Sequence, residues 1–342
     1  MGSQKIFKSV PINFIYANIE TLKQIIIIPV KLLIAAMLLY YLKSSGRLNL
    51  AVLSKIGFHS LAVTIPFYFF SFFWGILRWR IIAKACNLPL SLWSATRLSM
   101  SGNWISSIVP GGSLFSGDVA RATIFALENK EMRLMGLTSI IVDRILGLLS
   151  ILIICVLSLL VNFHLLNRNA WLRFMSLVLA FFVVVFIVML VLLLSKKASD
   201  FLIFSDYLKT IPGIKIFLDI LNNFYIFRND VPSLLKAHLV SYLGHISMMI
   251  AIFNLAHHIG ISLGTKSEYF FAISLGIMTA TLPISGPVGV GAGNVGFALS
   301  FGVVNSSSGA DLALAWQLTF IMASQVGLFF FMLNRKKNGF PF

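Results

Sequence analysis

A glycine-rich stretch that leads into a helix is the first feature of the sequence with the chemistry to bind a ligand. Residues 110–121 read PGGSLFSGDVAR, with Gly111 and Gly112 ahead of the predicted helix. Ser113 or Ser116 can cap its first turn. Backbone N–H groups at a helix start, together with the helix dipole, favour a negatively charged ligand. The stretch therefore predicts an anion-binding segment.

An acid and a base follow in the same stretch. Asp118 and Arg121, directly after Gly117, lie three residues apart and can form an ion pair on one face of a helix. Two interpretations stay open for them. They form either a local salt bridge on a capped helix at the membrane–water interface or part of a site for an anionic ligand.

A second charged pair lies deep within an apolar run. Asp143 and Arg144 stand about 13 Å beyond a predicted helix start near residue 135, at ~1.5 Å per residue. A charge at that depth costs roughly 2.5–3.5 kcal/mol on insertion scales, so such residues normally face a cavity or a partner. The pair is interpreted either as part of a substrate path or as a structural ion pair with Asp118 or Arg121.

The remaining residue types with reactive side chains form no recognisable site. Cys86 and Cys155 lie far apart in the sequence and suit neither a disulfide nor a metal. His245, His257 and His258 share one apolar run with no carboxylate or cysteine at ligand spacing, so we expect them to face a cavity or the interface. No hydrolase, nucleotide-binding or zinc motif is present, and we expect no cofactor and no catalytic residue.

The composition defines the elements that must hold these residues. Of 342 residues, 58% are hydrophobic and 11% are charged, and the mean hydropathy is +0.92. A soluble domain has roughly 25% charged residues. The apolar residues come in runs of about twenty, enough for a spanning helix, rather than in the short alternating segments of a β-barrel. We expect an all-α integral membrane protein, which excludes secreted disulfide-rich and nucleic-acid-binding proteins.

Six windows with little or no charge are long enough to cross a bilayer as helices. They cover residues 24–42, 56–77, 145–167, 174–195, 237–265 and 312–334. The first lacks a cleavage site and is interpreted as a retained span rather than as a signal peptide.

Two further uncharged regions are broken by Gly, Pro and Ser at their centres. They cover residues 98–117 and 269–310, with breaks around Pro110 and Pro283. Irregular backbone survives at membrane depth only where protein or a water-filled cavity satisfies its peptide groups. We interpret both as re-entrant hairpins of broken helices. Because they would enter from opposite faces, they form a candidate inverted repeat with a binding site at the midplane.

The basic residues predict an orientation. The formal net charge is +16, and 18 of the 27 Lys and Arg fall in residues 78–97, 130–133 and 196–236 or in the terminal segments 1–23 and 335–342. The positive-inside rule then places these segments and both termini in the cytoplasm. Segment 196–236 alternates apolar and charged residues and is interpreted as an amphipathic cytoplasmic segment. Residues 43–55, with three basic side chains, fall outside and are the exception to the rule.

Several short motifs resemble those of one membrane-protein family. They are Gly102-Asn103, Pro110-Gly111, Gly117-Asp118-Val119-x-Arg121, Val142-Asp143-Arg144-x-x-Gly147 and Leu282-Pro283-Ile284-Ser285. The sequence resembles, from about residue 20 to 335, the lysylphosphatidylglycerol synthase transmembrane, or flippase-like, family of bacteria and archaea. The resemblance implies a lipid-translocating membrane domain with broken helices around a central cavity. It also implies that Ser285, in the second break, belongs to the substrate-binding site.

Two features depart from the family pattern. The full-length synthases carry a soluble aminoacyl-transferase domain after the membrane region, whereas this sequence ends at Phe342, so we expect no aminoacylation of lipid by this chain. Family members usually end the turn of the second break with Arg-Glu, and here Asn294 stands in place of the acid. The resemblance therefore does not imply a proton-coupled or cation-coupled role for Asn294.

Together these observations predict a single polytopic membrane domain with about six spans and two re-entrant hairpins. We expect it to lie in the cytoplasmic membrane of a prokaryote. We expect it to move an anionic phospholipid or a polyprenyl-phosphate-type glycolipid between the two leaflets. A membrane enzyme with Asp118 as acid or base, and a small-solute carrier, are the alternatives. The expected partners are an anionic lipid, further copies of the chain and a separately encoded lipid-synthesising enzyme, with no nucleic acid. The predicted substrate-binding residues are Asn103, Gly111, Gly112, Ser113, Gly117, Asp118, Arg121, Asp143, Arg144, Ser285 and Asn294.

Overall fold

Helices form every regular element of the computed structural model in the residues that it describes, which are 29–109, 112–168, 170–195, 223–261, 265–282 and 284–338. The helices are α1 (29–44), α2 (Phe58–Ala85), α3 (Leu92–Ile108), α4 (Gly112–Glu128), α5 (Arg133–Val161), α6 (His164–Arg168), α7 (Ala170–Leu194), α8 (Val231–His258), α9 (Lys266–Ala280), α10 (Ala292–Val303), α11 (Gly309–Ser324) and α12 (Val326–Asn338). The predicted all-α class is therefore confirmed.

Most of the predicted spans coincide with long apolar helices. Four helical stretches are long and apolar enough to cross a membrane, and α11 with α12, bent by 43° at their junction, form a fifth if counted as one span. The four are Phe58–Ala85, Lys130–Val161, Leu172–Leu192 and Ile226–His258. These five match five of the six predicted windows. The sixth window, 24–42, begins outside the described residues and continues as α1.

Both regions predicted to be broken contain a pair of helices joined by a short break. In the first pair, α3 and α4 are longer than the predicted segment 98–117 and extend it at both ends. In the second pair, α9 and α10 are joined by residues 281–291, where Pro287–Gly289 form a single 3-10 turn. That turn packs against α3 and α4. The turn of the second helix pair therefore packs on the helices of the first pair.

The two helix pairs enter the bundle from opposite ends. The α3–α4 pair begins just after the Ala85 end of α2. The α9–α10 pair begins just after the last residue of α8, where the rings of His258 and His59 are 4.8 Å apart at the Phe58 end of α2. Opposite entry is the arrangement that an inverted repeat requires. Membrane re-entry of the two pairs stays a prediction.

A capping box begins α9 at the Phe58 end. The Thr265 side chain accepts from the Glu268 backbone N–H, and the Glu268 carboxylate accepts from the Thr265 N–H. The His164 imidazole, 3.0 Å from the same carboxylate, holds the pKa of Glu268 below its usual range. This contact ties α6 to the start of α9, at the entrance to the second helix pair.

A buried polar network fixes α3 and α4 to α12 near the Ala85 end. Arg97 donates to both carboxylate oxygens of Glu128, at 2.7 and 2.6 Å, and to the side-chain oxygen of Asn334. Asn334 in turn donates to Ser101 at 2.7 Å. Because a buried guanidinium without partners would be costly, this network anchors α3 and α4 to the C-terminal helix.

Two segments that the sequence predicts to be cytoplasmic extend into helices of the bundle. In residues 78–97, α2 continues to Ala85 and α3 begins at Leu92. Arg78 and Arg97 are helical because carboxylates on other helices pair with them inside the bundle. Residues 231–236 also belong to α8, which Asp230 caps by accepting from the Ser233 N–H at 3.2 Å. Residues 196–222 of the predicted amphipathic segment lie outside the described residues.

Backbone-to-backbone packing holds α3 against α4. A Cβ atom on Gly102 would lie 2.7 Å from the carbonyl oxygen of Gly117, and a Cβ on Gly117 would lie 2.5 Å from that of Gly102. Neither helix could approach so closely with a larger residue at these positions. The contact lies one turn or less from Asn103 and Asp118, so it also sets the position of those side chains.

We expect Gly102→Ala to destabilise the protein by about 1–3 kcal/mol, since the new methyl group meets rigid backbone rather than a flexible side chain. The measurement is the midpoint of thermal unfolding in detergent. Gly302→Ala is the matched control, because a Cβ there meets nothing within 4 Å. Equal midpoints for the two variants would contradict the close packing of α3 and α4.

Candidate anion-binding site

A polar cavity lies between the helices of the bundle and the segment that joins α9 to α10. It has a volume of about 200 Å³, and side chains from α2, α3, α4, α5, α8, α9 and α11 line it. The polar lining includes Arg78, Asn103, Arg121, Asp143, Arg144 and His245. The cavity is thus lined by charged groups in a bundle whose outer surface is largely apolar.

Asp143 is the most deeply buried charge of the site. Its side chain is 1% exposed, and Arg78 donates to both of its oxygens, from Nε at 2.6 Å and from Nη2 at 3.1 Å. Arg121 Nη2 donates to it as well, at 3.1 Å. Two guanidinium groups therefore hold this carboxylate, as a buried ionised acid requires.

Asp118 forms the second centre of negative charge. It accepts from Arg121 Nη2 at 2.8 Å, from Arg144 Nη2 at 2.6 Å, and from Arg144 Nε. The predicted pair of Asp118 with Arg121 is confirmed. Arg121 bridges the two carboxylates, so Asp118, Arg121, Asp143, Arg144 and Arg78 form one connected charge cluster.

The charge cluster lies well inside the bundle, measured from the Ala85 end. Asp143 follows the first residue of α5 by ten positions, which is about 15 Å along a helix. Arg121 and Arg78 each precede the last residue of their helix by seven positions, or about 10 Å. At that depth in a membrane, charges persist only when they pair or face a cavity, and these do both.

The charge cluster carries one positive charge in excess, because three guanidinium groups face two carboxylates. Arg144 is its most exposed member, with 30% of the side chain accessible, compared with 7% for Arg121. The Arg121 guanidinium also lies 4.4 Å above the ring of Trp79. The excess charge is thus available at the cavity surface through Arg144.

Two hydrogen-bond donors beside Arg144 have no protein acceptor among the described residues. They are Nε of Arg121 and Oγ of Ser99, both buried. Both residues also line a smaller space of about 20 Å³, next to Asn103, Asp118 and Arg144. Buried donors are normally satisfied, so these two are suited to an oxygen-rich ligand.

Sequence reasoning missed Arg78, although it is the main partner of Asp143. The side chain also donates to Ser241 Oγ at 2.8 Å, and Ser150 donates to the same oxygen at 2.6 Å. Gly147 makes room for it, since a Cβ there would lie 2.9 Å from Arg78 Nη1. The sequence shows only that Arg78 directly follows an uncharged window, and an arginine in that position more often lies at the membrane interface than inside the bundle.

The start of α4 differs from the prediction. The helix begins at Gly112, so Gly112 and Ser113 form its first turn, and Gly111 lies outside the described residues. Ser116 lies inside the helix and donates to the Val109 carbonyl at 3.4 Å rather than capping a later start. Asp118 and Arg121 therefore project from the helix body, where Gly117 packs on α3.

Two predicted site residues of the second break lie apart from the charge cluster. Asn294 is fully buried and caps α10: its Oδ1 accepts from the Gly291 N–H at 3.0 Å and its Nδ2 donates to the Ala310 carbonyl at 3.4 Å. Ser285 is buried as well. Neither lines the cavity, whereas Asn103 does.

Comparison with known proteins identifies the family. Residues 28–327 match the family model described as the lysylphosphatidylglycerol synthase TM region. No curated protein and no solved structure matches the chain. The match spans most of the sequence and includes every member of the charge cluster. The chain therefore belongs to the lysylphosphatidylglycerol synthase TM region family.

Proposed function

We propose that this protein is a lipid translocase that moves an anionic phospholipid, or a phosphate-linked glycolipid, across the cytoplasmic membrane of a prokaryote. The observation that carries the proposal is the charge cluster, with its one excess positive charge on the cavity side at about 10–15 Å from the helix ends. A lipid headgroup crosses hydrocarbon slowly because an unpaired charge there is heavily penalised. A buried guanidinium can replace water around the phosphate.

The helix pairs suggest how the headgroup would pass. The turn that joins α9 to α10 packs on α3 and α4, and the two helix pairs enter the bundle from opposite ends. Movement of one helix pair relative to the other would open the cavity to either leaflet, as in transporters built from inverted repeats. The acyl chains would stay in the lipid while the headgroup occupies the cavity.

Family membership supports a role in lipid handling, and the basic residues support an orientation. Eight basic residues are near the Ala85 end and six are near the Phe58 end. The first group is Lys84, Lys130, Arg133, Arg228, Lys236, Arg335, Lys336 and Lys337, and the second is Lys43, Arg47, Lys55, Arg168, Arg173 and Lys266. The positive-inside rule then favours a cytoplasmic Ala85 end. The charge cluster would be closer to the cytoplasmic leaflet.

Transport accounts for the site better than catalysis does. Asp118, the only candidate acid or base of the enzyme alternative, has both carboxylate oxygens engaged by guanidinium groups of Arg121 and Arg144. Because both oxygens already accept hydrogen bonds from these guanidinium groups, neither is free to face a substrate. We therefore propose no enzymatic activity for this chain, and self-association and a separately encoded lipid-synthesising enzyme remain proposed partners.

Mass spectrometry of lipids that co-purify with the protein tests the proposal. We expect one anionic lipid class to be enriched over the bulk membrane, and we expect Arg144→Ala to lose this enrichment. Lys84→Ala, an exposed position in the last turn of α2, is the control for loss of a positive charge. A lipid profile equal to that of the bulk membrane would contradict the proposal.

Water access to the cavity yields a separate prediction. Cysteines introduced at Asn103 and Thr281, which line the cavity, should react with small water-soluble thiol reagents. A cysteine at Val184, 57% exposed on α7, should stay protected because that surface faces lipid. The native Cys86 and Cys155 are buried and should add little background. Equal labelling at Asn103 and Val184 would contradict a water-filled cavity.

A further inference from the structure

The charged side chains around the cavity do not balance one another. Arg78, Arg121 and Arg144 in the cavity lining contribute three positive charges. Asp143 in the same lining and Asp118, which lines the adjoining space of about 20 Å³, contribute two negative ones. The other titratable side chain in the cavity lining is His245, which we take as neutral at pH 7 because free imidazole is mostly neutral there. The described side chains of the cavity and of the adjoining space therefore carry a net charge of +1.

We infer that this cavity selects lipid headgroups with a single negative charge, which are phosphodiesters, and that Asp118 sets the selection. The inference rests on the proposed function and deepens it. The shared chemistry is a phosphodiester monoanion, which a diacyl phospholipid or a prenyl phosphosugar can supply. Phosphomonoesters, with two charges above pH ~6, are disfavoured.

The physical reason is the cost of an unbalanced charge away from water. One negative charge on the headgroup brings the net charge of the cavity to zero, whereas a second has no counter-charge there. Coulomb interactions are several-fold stronger at the effective dielectric of a protein site than in bulk water. A net neutral complex is therefore favoured over one with an excess negative charge.

Asp118 is better placed than Asp143 to control this balance. Its side chain is 14% exposed, compared with 1% for Asp143, and it holds Arg144, the guanidinium nearest the open cavity. The unpartnered donors of Arg121 and Ser99 lie in the same small space. Neutralising Asp118 would add one positive charge at the binding surface, while Asp143 would keep its bidentate partner Arg78.

Binding of short-chain lipids to the full-length protein in detergent tests the inference. The probes share a chain length: phosphatidylglycerol, phosphatidic acid and a prenyl phosphosugar, each titrated at pH 8. We expect the wild type to bind at least one phosphodiester about tenfold more tightly than phosphatidic acid. Comparing the affinity for phosphatidylglycerol with that for the prenyl phosphosugar shows which of these two lipid classes supplies the phosphodiester. Asp118→Asn should shift the preference towards phosphatidic acid by about tenfold.

The control variant is Glu131→Gln, which also removes one negative charge, but at an exposed position outside the cavity. It should leave the ratio of phosphodiester affinity to phosphatidic acid affinity unchanged. A second measurement uses His245→Gln, which keeps a hydrogen-bond donor for the Gly147 carbonyl but cannot gain a charge in acid. Lowering the pH to 5 gives phosphatidic acid a single charge, and its affinity for this variant should then rise to that of phosphatidylglycerol.

Two results would overturn the inference. The first is that the wild type at pH 8 binds phosphatidic acid as tightly as, or more tightly than, both phosphodiesters. The second is that Asp118→Asn has the same ratio of phosphodiester affinity to phosphatidic acid affinity as the wild type. Failure of the proposed function gives a different result. In that case no anionic lipid binds the wild type more tightly than it binds Arg144→Ala.

Discussion

Replacing Arg144 with alanine should lower lipid translocation by about a hundredfold while the protein still folds. The variant loses the guanidinium that presents the excess positive charge to the cavity, and a hydrogen bond to a charged group contributes about 1.5–3 kcal/mol. Stability should fall by only about 1 kcal/mol, since the side chain is 30% exposed and Asp118 keeps its bond to Arg121. Fluorescent-lipid translocation in proteoliposomes measures the first effect and thermal unfolding the second.

Arg144→Lys is the informative companion variant. It keeps the charge but lacks the planar fork that can hold two phosphate oxygens. We expect it to restore stability fully and translocation only in part. If Arg144→Ala translocates lipid at the wild-type rate, Arg144 has no role in substrate binding.

Replacing Arg78 with alanine should be the most destabilising single change in the charge cluster. It removes both hydrogen bonds of the bidentate pair from Asp143, whose side chain is 1% exposed. Breaking a buried pair by removing one partner costs about 3–5 kcal/mol because a buried charge is left uncompensated. The measurement is the midpoint of thermal unfolding in detergent.

The matched control is Lys84→Ala, which removes a positive charge from the exposed last turn of the same helix. The combined variant Arg78→Met with Asp143→Leu should recover part of the lost stability, because it removes both charges together. An unfolding midpoint for Arg78→Ala equal to that of Lys84→Ala would show that the pair contributes nothing to stability.

Depth in an apolar run was enough to predict part of the site from the sequence. Asp143 and Arg144 lie too far inside a spanning helix to be interfacial, and the structure pairs them with Arg121 and Asp118, the structural partners that the sequence suggested. The apolar windows likewise located the long helices, since helix length in a membrane is set by bilayer thickness. In both cases a local property of the sequence determines the outcome.

Arg78 and Asn294 show where such reasoning fails. Arg78 follows an uncharged window, and only the approach of α5 with Gly147 reveals that it points inward to Asp143. Asn294 stands in a motif, but its side chain is occupied by the backbone of Gly291 and Ala310. The Arg78–Asp143 pair and the Asn294–Ala310 bond join residues 65 and 16 positions apart, and residue type and spacing do not encode such contacts. The bond between Asn294 and Gly291 is a local cap.

Lipid translocation by the purified protein is the most direct test of the central claim. The protein is reconstituted into liposomes that contain a fluorescent phosphatidylglycerol, and a membrane-impermeant quencher reports the fraction that has crossed. We expect the fluorescent lipid to cross much faster in wild-type proteoliposomes than in protein-free liposomes or in Arg144→Ala proteoliposomes. The same assay is run with the phosphodiester that binds most tightly. Equal rates in all three kinds of liposome, for both lipids, would contradict the assignment of the protein as a lipid translocase.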